Sequence, residues 1–406
     1  MRVQQLTELK GGFMSSKGDH DCLSRRTFLK ASFATAAVSA LGLSLMGKTR
    51  DAVAADSKPP AQNLAYRTLG RTGLKPTVVA FGAMLTPDHE VIRAGFDLGI
   101  NYVDTARRYL NGRSEGVVGK ALKGIRDQIY VATKIAPSSI TRKDMFRDVE
   151  TSLAQLQTDH IDIIQLHGLE SKDRAFIPEV RETLVELRRQ GKVRFFGVTT
   201  HTNQAQVING ITDDPDKFFD TVLVAYNFKS SPDIKAAIAR AAKAGVGVIA
   251  MKTQTGGYKT DAIGPVSPHQ AALKWALQDT NVTTSIPGMR DMSMLQEDFA
   301  VMRMIKMTSN EAKILKRYSE AIDAYYCRLC GQCEATCPRN VAISVINRSL
   351  MYAEGYGEIK LAQATYADVA KERSAAVCAD CAGCGARCVN GINISEKMSK
   401  ARVLFA

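Results

Sequence analysis

The sequence predicts an α/β protein in which a (β/α)8 TIM barrel is followed by a small, mostly helical, cysteine-rich domain. Short β-rich runs alternate with amphipathic helical runs along the middle of the chain, and eight such units are the number that closes a barrel. Eight of the nine cysteines lie near the C-terminus in two runs of equal spacing. We expect a leader over residues 1–54, the barrel over 55–305, and a helical linker with the cysteine-rich domain over 306–406.

The predicted strands are short runs bounded by glycines and polar residues. They are Thr77–Phe81, Tyr102–Thr105, Ile129–Lys134, Ile161–His167, Val193–Thr199, Thr221–Tyr226, Gly247–Met251 and Thr284–Ile286. Predicted barrel helices include Asp88–Leu98, Arg142–Leu156, Ile177–Arg189, Pro232–Lys243 and Pro268–Leu277. Later helices are expected at Ser309–Ala324, Val341–Ala353 and Lys360–Arg373. Tyr66–Leu74 has the pattern of a small hairpin that plugs the bottom of the barrel.

Both cysteine runs have the spacing C-x2-C-x2-C-x3-C. They consist of Cys327, Cys330, Cys333 and Cys337, and of Cys378, Cys381, Cys384 and Cys388. This spacing binds [4Fe–4S] clusters, and in two-cluster ferredoxins the fourth cysteine of each run ligates the other cluster. We therefore expect Cys388 to complete the first cluster and Cys337 the second. Disulfides, zinc and unrelated thiols fit a repeated spacing of this kind less well, so a bacterial-type 4Fe-4S ferredoxin domain with two [4Fe–4S] clusters is predicted.

The N-terminal region contains Ser24-Arg25-Arg26-Thr27-Phe28-Leu29-Lys30, an apolar run over Ala31–Met46, and Ala52-Val53-Ala54. This pattern resembles a twin-arginine (Tat) signal peptide with its cleavage site. The resemblance implies that the Tat machinery exports the folded protein, with its clusters already inserted, to the periplasm. An uncleaved signal would instead tether the protein to the membrane, and a chance Arg-Arg pair before a core helix is the remaining alternative.

The composition excludes some functions. The formal net charge is +13, but the basic residues are scattered and no nucleic-acid-binding motif is present, so no nucleic-acid partner is expected. Hydrophobic residues make up 45% of the chain, which is enough for a sizeable core. Outside the N-terminal run, no segment reaches the length that spans a membrane.

The segment from Gly99 to Tyr109, with Ser114-Glu115 and Val118–Leu122, resembles the signature of the aldo-keto reductases. The resemblance covers Tyr66 to about Asp298. It implies four catalytic residues, which are Asp104, Tyr109, Lys134 and His167, each at or just beyond a strand end. Tyr109 would act as acid/base with its pKa lowered by Lys134, which Asp104 would hold, and His167 would orient a carbonyl or alcohol.

The resemblance also implies a nicotinamide dinucleotide, NADP(H) or NAD(H), bound without a Rossmann glycine loop. The candidate contacts are Thr199, Thr200, Tyr226, Lys252, Gly288 and Arg290. Because free NADPH is a cytoplasmic reductant, an exported enzyme would alternatively receive electrons through its clusters from a redox partner protein or a quinone-linked donor. A flavin in the barrel mouth is a further candidate.

Two functions follow from the sequence. The first is an exported iron–sulfur oxidoreductase of aldo-keto reductase type (EC 1.-) that interconverts a small carbonyl compound and its alcohol. The alternative is an electron-transfer or redox-sensing module in which the barrel is a non-catalytic scaffold.

Overall fold

The computed structural model describes residues 64–258 and 266–405. The predicted signal peptide, residues 1–54, lies outside the described residues. The described residues belong to one compact unit. Within the described ranges, none of the helices combines the length and apolar character needed to cross a bilayer.

Eight parallel strands, paired in sequence order, form the barrel. They are β1 (Phe81–Gly82), β2 (Tyr102–Asp104), β3 (Tyr130–Ile135), β4 (Ile161–Leu166), β5 (Val193–Thr200), β6 (Thr221–Ala225), β7 (Gly247–Met251) and β8 (Thr284–Ser285). Parallel bridges from Val79 to Ser285 and from Gly82 to Gly288 connect the last strand to the first. The predicted first strand is therefore present mainly as isolated bridges, and β1 itself is displaced toward Gly82.

The barrel helices follow these strands and pack one apolar face against them. They are α1 (His89–Asp97), α2 (Ser114–Leu122), α3 (Arg142–Leu156), α4 (Pro178–Arg189), α5 (Gln204–Thr212), α6 (Pro232–Lys243), α7 (Pro268–Gln278) and α8 (Met292–Ala300). In α4, for example, the buried residues are Val180, Thr183, Leu184 and Leu187, which recur every three or four positions. The predicted bounds of α3 and α6 agree with the structure.

The predicted hairpin lies at the bottom of the barrel. Tyr66 and Thr77 form an antiparallel bridge, and Leu69 and Leu74 are buried in the same apolar cluster as interior strand residues. Gly70 has a φ of 51°, and a Cβ atom there would lie 2.5 Å from the carbonyl oxygen of Gly245. Only glycine fits this close approach between the hairpin and the start of β7.

The C-terminal region is helical and packs across the upper, C-terminal end of the barrel. Its helices are α9 (Ser309–Ile322), α10 (Ile343–Glu354), α11 (Ile359–Tyr366) and α12 (Ile394–Phe405). Helix α11 ends seven residues before the predicted Arg373, so that prediction was too long. Just beyond its end, Asp368 forms a bidentate pair with Arg108 of the barrel, with N–O distances of 2.6 and 2.7 Å.

Helices α2 and α3 make a close contact at Gly119. A Cβ atom on Gly119 would lie 2.6 Å from the backbone oxygen of Gln155. We expect Gly119→Ala to lower the free energy of unfolding by about 1–3 kcal/mol, because the two helices must separate. Chemical denaturation followed by circular dichroism measures this change.

Gly116→Ala in the same helix is the matched control. Its Cβ would meet only the flexible side chain of Gln155, at 2.9 Å, so the gain in helix propensity of about 1 kcal/mol remains. Equal stabilities of the two variants would contradict this account of the packing.

Candidate active site

The four residues implied by the resemblance meet at the upper end of the barrel. Asp104 is the last residue of β2, Lys134 lies near the end of β3, and His167 directly follows β4. The Nζ atom of Lys134 donates hydrogen bonds to Asp104 Oδ1 at 2.5 Å and to the backbone oxygen of Thr105 at 2.6 Å. Gln165, one position before the end of β4, donates from Nε2 to Asp104 Oδ2 at 2.8 Å. The carboxylate is thus held from both sides.

Tyr109 lies in the loop between β2 and α2, and Glu115 fixes that loop. The buried Glu115 accepts a hydrogen bond from Thr133 at 2.6 Å and pairs with Arg107 at 3.1 Å. Thr105 and Ser114 hydroxyls are hydrogen-bonded at 2.8 Å. These contacts hold the loop that carries Tyr109. They give Ser114 and Glu115, two residues of the aldo-keto reductase resemblance, a structural role.

Tyr109 faces both other functional groups of the set. Lys134 Nζ lies 4.7 Å from the centre of the Tyr109 ring. The rings of Tyr109 and His167 are 6.0 Å apart in an edge-to-face arrangement. Tyr109 and His167 are partly buried, whereas Asp104 and Lys134 are almost fully buried. The exposed parts of Tyr109 and His167 face a cavity.

The electrostatics differ from the sequence expectation. Burial raises the pKa of Tyr109 well above its ordinary value, Asp104 and Tyr352 raise it further, and Arg348 opposes them. Both hydrogen bonds of Lys134 are directed at Asp104 and Thr105, so neither reaches the Tyr109 hydroxyl. Tyr109 is a protonated phenol at neutral pH, and its raised pKa makes it a weaker acid than a free tyrosine.

Burial also determines the states of the other groups. It lowers the pKa of His167 well below the ordinary value, and the charges of Lys134 and Arg348 lower it further, so the imidazole is neutral at pH 7. Burial raises the pKa of Asp104 and lowers that of Lys134, while their mutual attraction opposes both changes.

The cavity has a volume of about 1090 Å³ and lies between the barrel mouth and the C-terminal region. The barrel contributes Asp104, Tyr109 and His167, among others. The C-terminal region contributes Gly331, from the first cysteine run, and Arg348 and Tyr352 of α10. The cavity is thus shared between the barrel and the cysteine-rich region.

Lys252 and Arg290, predicted to bind dinucleotide phosphates, instead contact the C-terminal region. Lys252 Nζ donates to the Tyr352 hydroxyl at 3.1 Å and lies over the Tyr352 and Tyr356 rings. Arg290 donates to the backbone oxygen of Tyr356 at 2.7 Å and pairs with Glu358 at 3.0 Å. Burial favours the neutral Tyr352 phenol, but Lys252 and Arg348 outweigh it and lower its pKa. Both cations already have partners within this chain.

Three other predicted cofactor contacts do not line the cavity. Thr199 Oγ1 accepts from the Gly168 amide and Thr200 Oγ1 donates to the Thr202 carbonyl, both at 2.8 Å. The Tyr226 hydroxyl donates to Asp279 at 2.9 Å, and its ring packs on Trp275.

The direction of Tyr226 follows from strand alternation. Leu223 and Ala225 are in the barrel interior, so Tyr226 points toward the outer helices. Of the six predicted cofactor contacts, only Lys252, Gly288 and Arg290 line the cavity.

The structure adds two cavity residues that the sequence analysis missed. His201 directly follows β5, is buried, and has an Nδ1 atom without a hydrogen-bond partner. Its position just beyond a strand end is a signal that could have identified it. Arg348 lies on α10, and nothing in the sequence indicates that this helix covers the barrel.

The eight cysteines of the two runs are free thiols in two mixed groups. Cys327 interacts electrostatically with Cys330, Cys333 and Cys388. Cys378 interacts with Cys337, Cys381 and Cys384. The fourth cysteine of each run therefore lies with the first three of the other, as the spacing predicts.

The two cysteine groups have the donor atoms that iron–sulfur clusters require. In the described ranges, no set of three or more Cys, His, Asp or Glu side chains is placed to hold a single metal ion. A cube separates its thiolates more widely, because each binds a different iron. Burial and neighbouring thiols raise the pKa of Cys327 and Cys333 to about 12 each, and bound iron would compensate that cost. Backbone amides of Leu329 and Asn390 donate to Cys327 and Cys388 sulfurs at 3.4 Å. The donor set fits two cubes.

Comparison with known proteins identifies the barrel. Residues 86–264 match the model of the Aldo/keto reductase family. The aldo-keto reductase YhdN of Bacillus subtilis (strain 168) is 42% identical over 120 residues, covering 27% of this chain and 36% of the relative. The methylglyoxal reductase YeaE of Escherichia coli (strain K12) is 37% identical over 108 residues, covering 27% of this chain and 37% of the relative. The matches thus span less than half the length of either curated relative.

A solved structure supports the same fold. The aldo/keto reductase from Klebsiella pneumoniae, in complex with NADP and acetate, aligns with a TM-score of 0.53 and 23% identity over 62% of this chain and 94% of that one. At this identity, the likeness shows the fold alone. The match of residues 86–264 to the family model supports an aldo/keto reductase family domain within the barrel.

Proposed function

We propose that the protein is an exported iron–sulfur oxidoreductase that interconverts a small carbonyl compound and its alcohol in the shared cavity. The observation that carries this proposal is the meeting of Asp104, Tyr109, Lys134 and His167 at the cavity floor. Individually such residues are common at strand ends, but together they form a proton donor, a buried ion pair and a neutral hydrogen-bonding imidazole beside one cavity.

The residues have distinct roles in reduction, in which the carbonyl takes up two electrons and two protons: one proton reaches the oxygen from Tyr109, and the other reaches the carbon from solvent in the cavity. Tyr109 donates its phenolic proton to the carbonyl oxygen as negative charge develops there. The neutral His167 donates a hydrogen bond to the same oxygen and orients the substrate. Lys134, 4.7 Å from the ring centre, stabilises the phenolate left behind, and Asp104 keeps Lys134 in place. Alcohol oxidation uses the same steps in reverse.

The proposed electron source is a redox partner protein or a quinone-linked donor, reached through two [4Fe–4S] clusters on the cysteine groups. Each cluster would supply one electron, so two would match the two-electron reduction. Gly331, between Cys330 and Cys333, lines the cavity, which brings the first cysteine group close to the substrate. The engagement of Lys252 and Arg290 by the C-terminal region argues against a freely exchanging NADP(H).

Export to the periplasm is part of the proposal and rests on the sequence from Ser24 to Ala54. Cell fractionation tests it: replacing Arg25 and Arg26 together by Lys should keep the protein in the cytoplasm. Periplasmic protein in that double variant would contradict export by the twin-arginine route.

A second candidate is an electron-transfer or redox-sensing protein whose barrel is a scaffold. The raised pKa of Tyr109 and the direction of the Lys134 hydrogen bonds favour it, because Lys134 does not contact the hydroxyl directly. Clusters that are reduced and reoxidised reversibly, without turnover of any carbonyl or alcohol, would favour this candidate.

The role of Tyr109 predicts a specific kinetic defect. We expect Tyr109→Phe to lower kcat by at least about 100-fold, because the proton donor is lost while the ring and its packing remain. Steady-state turnover of small carbonyls by anaerobically purified protein, with a viologen dye as electron donor, measures this. Tyr130→Phe, in β3 outside the cavity lining, is the control and should retain activity. Unchanged turnover by Tyr109→Phe would reject the assigned proton donor.

The mixed cysteine groups predict which cluster each residue holds. The protein should contain about eight irons and eight sulfides per chain, as two cubes require. Cys388→Ser should perturb the cluster of Cys327, Cys330 and Cys333, and Cys337→Ser the other one, as seen by electron paramagnetic resonance of the reduced protein. Four irons in the wild-type protein, or identical spectral changes in the two variants, would contradict the pairing.

The occupied phosphate contacts predict weak dinucleotide binding. We expect Tyr352→Ala to tighten NADPH binding by about 10-fold or more, because it frees the Lys252 ammonium for a charge-assisted hydrogen bond. Calorimetric titration of the holoprotein measures both affinities. Tyr325→Ala, which removes a tyrosine outside the cavity lining, is the control. Tight NADPH binding by the wild-type protein would show that the C-terminal region does not block these groups.

A further inference from the structure

Arg348 is a cation in the cavity wall without a described partner. It lies on α10, one turn before Tyr352, and both side chains line the cavity. Its Nε atom is buried and forms no hydrogen bond. The Nε atoms of Arg107 and Arg290 in the same wall are also unpaired, but those two guanidinium groups have carboxylate partners. Because an unpaired buried guanidinium is costly, the lack of any such partner for Arg348 among the described residues points to a ligand.

The other cavity cations are already engaged within the described part of the chain. Arg107 pairs with Glu115, Arg108 with Asp368, Arg290 with Glu358, and Arg373 with Glu334, while Lys252 donates to Tyr352. Arg348 differs from all five because no ion pair or hydrogen bond to a residue of the described chain is found for it.

The acidic groups of the cavity do not neutralise Arg348 either. Asp104 pairs with Lys134, and Asp148 accepts hydrogen bonds from Ala136 and Ser139 at 3.0 and 2.8 Å. Asp368 and Glu334 pair with the arginines named above. Glu170 is exposed at the rim. The wall around Arg348 therefore has unused positive charge.

His201 provides a second unused polar atom in the same cavity. It is 9% exposed and its Nδ1 atom has no hydrogen-bond partner. The His201 ring also hydrogen-bonds to the Thr200 backbone, which opposes the lowering of its pKa by burial. Arg348 influences the pKa of His201, of His167 and of Tyr109, which places its charge near the proposed proton donor.

We propose that the substrate is a carbonyl compound with a carboxylate group, such as a 2-oxo acid, and that Arg348 of the C-terminal region binds this carboxylate. A planar guanidinium can present Nε and a terminal nitrogen side by side to the two carboxylate oxygens. The carbonyl group would then face Tyr109 and His167. The inference rests on the proposed function and assigns its specificity to a residue outside the barrel.

The test uses the anaerobically purified holoprotein and pairs of 2-oxo acids with their methyl esters, which keep the carbonyl and lose the charge. Turnover and calorimetric binding are both measured. The wild-type protein should prefer each acid in kcat/KM. Arg348→Met should lower kcat/KM for the acids by about 10- to 100-fold, mainly through KM, and change the values for the esters little.

Two further variants sharpen the test. Arg348→Lys keeps the positive charge but loses the bidentate guanidinium geometry, and should retain part of the preference for acids over esters. Lys360→Met, on the exposed face of α11, removes the same net charge away from the cavity and should leave the preference unchanged.

The outcomes separate this inference from the proposed function. Turnover of acids and esters at equal kcat/KM, or equal losses for both in Arg348→Met, would overturn the carboxylate site while leaving the reductase activity standing. Absence of turnover with any carbonyl would overturn the proposed function, but binding of the acids that Arg348→Met abolishes would still support the site. Failure of the wild-type protein to bind any 2-oxo acid would overturn the site.

Discussion

The hydrogen bond from Lys252 Nζ to the Tyr352 hydroxyl, 3.1 Å long, joins the barrel mouth to the C-terminal region. This bond and the contact from Arg290 to the backbone oxygen of Tyr356 connect α10 and the residues after it to the barrel mouth. With α10 across the barrel mouth, Arg348 and Tyr352 line the cavity. The contacts of Lys252 and Arg290 with the C-terminal region thus enclose the cavity and occupy two side chains that were predicted to bind dinucleotide phosphates. They also hold the cysteine-rich region next to the candidate active site.

This arrangement gives each part of the chain a function. In the proposed reaction, the barrel supplies Tyr109 as proton donor, His167 as hydrogen-bond donor, and the buried pair of Lys134 with Asp104. The C-terminal region would supply electrons through its two cysteine groups and charge through Arg348. Because the cavity is shared, neither part has a complete site alone. Under the proposed function, the joining of this barrel to the cysteine-rich region has a physical reason, since electron delivery and substrate binding would occur at one interface.

The sequence predicted the features that depend on local pattern. The eight strands follow from the alternation of β-rich and helical runs, and the mixed pairing of Cys388 and Cys337 follows from spacing. Tyr226 was predicted to contact the cofactor, but it points away from the barrel interior, as the period of two from Leu223 through Ala225 indicates. Arg348 and the engagement of Lys252 could not be predicted, because they depend on long-range packing between segments about 100 residues apart.

Rapid mixing tests the central claim, that electrons reach the cavity from the cysteine-rich region, most directly. Holoprotein with chemically reduced clusters, free of nicotinamide and of excess reductant, is mixed anaerobically with a carbonyl substrate, and cluster absorbance and alcohol are followed together. The account predicts that both clusters are oxidised as about one alcohol per chain forms, since each cube gives one electron. Clusters that stay reduced, with alcohol formed only after NADPH is added, would contradict it.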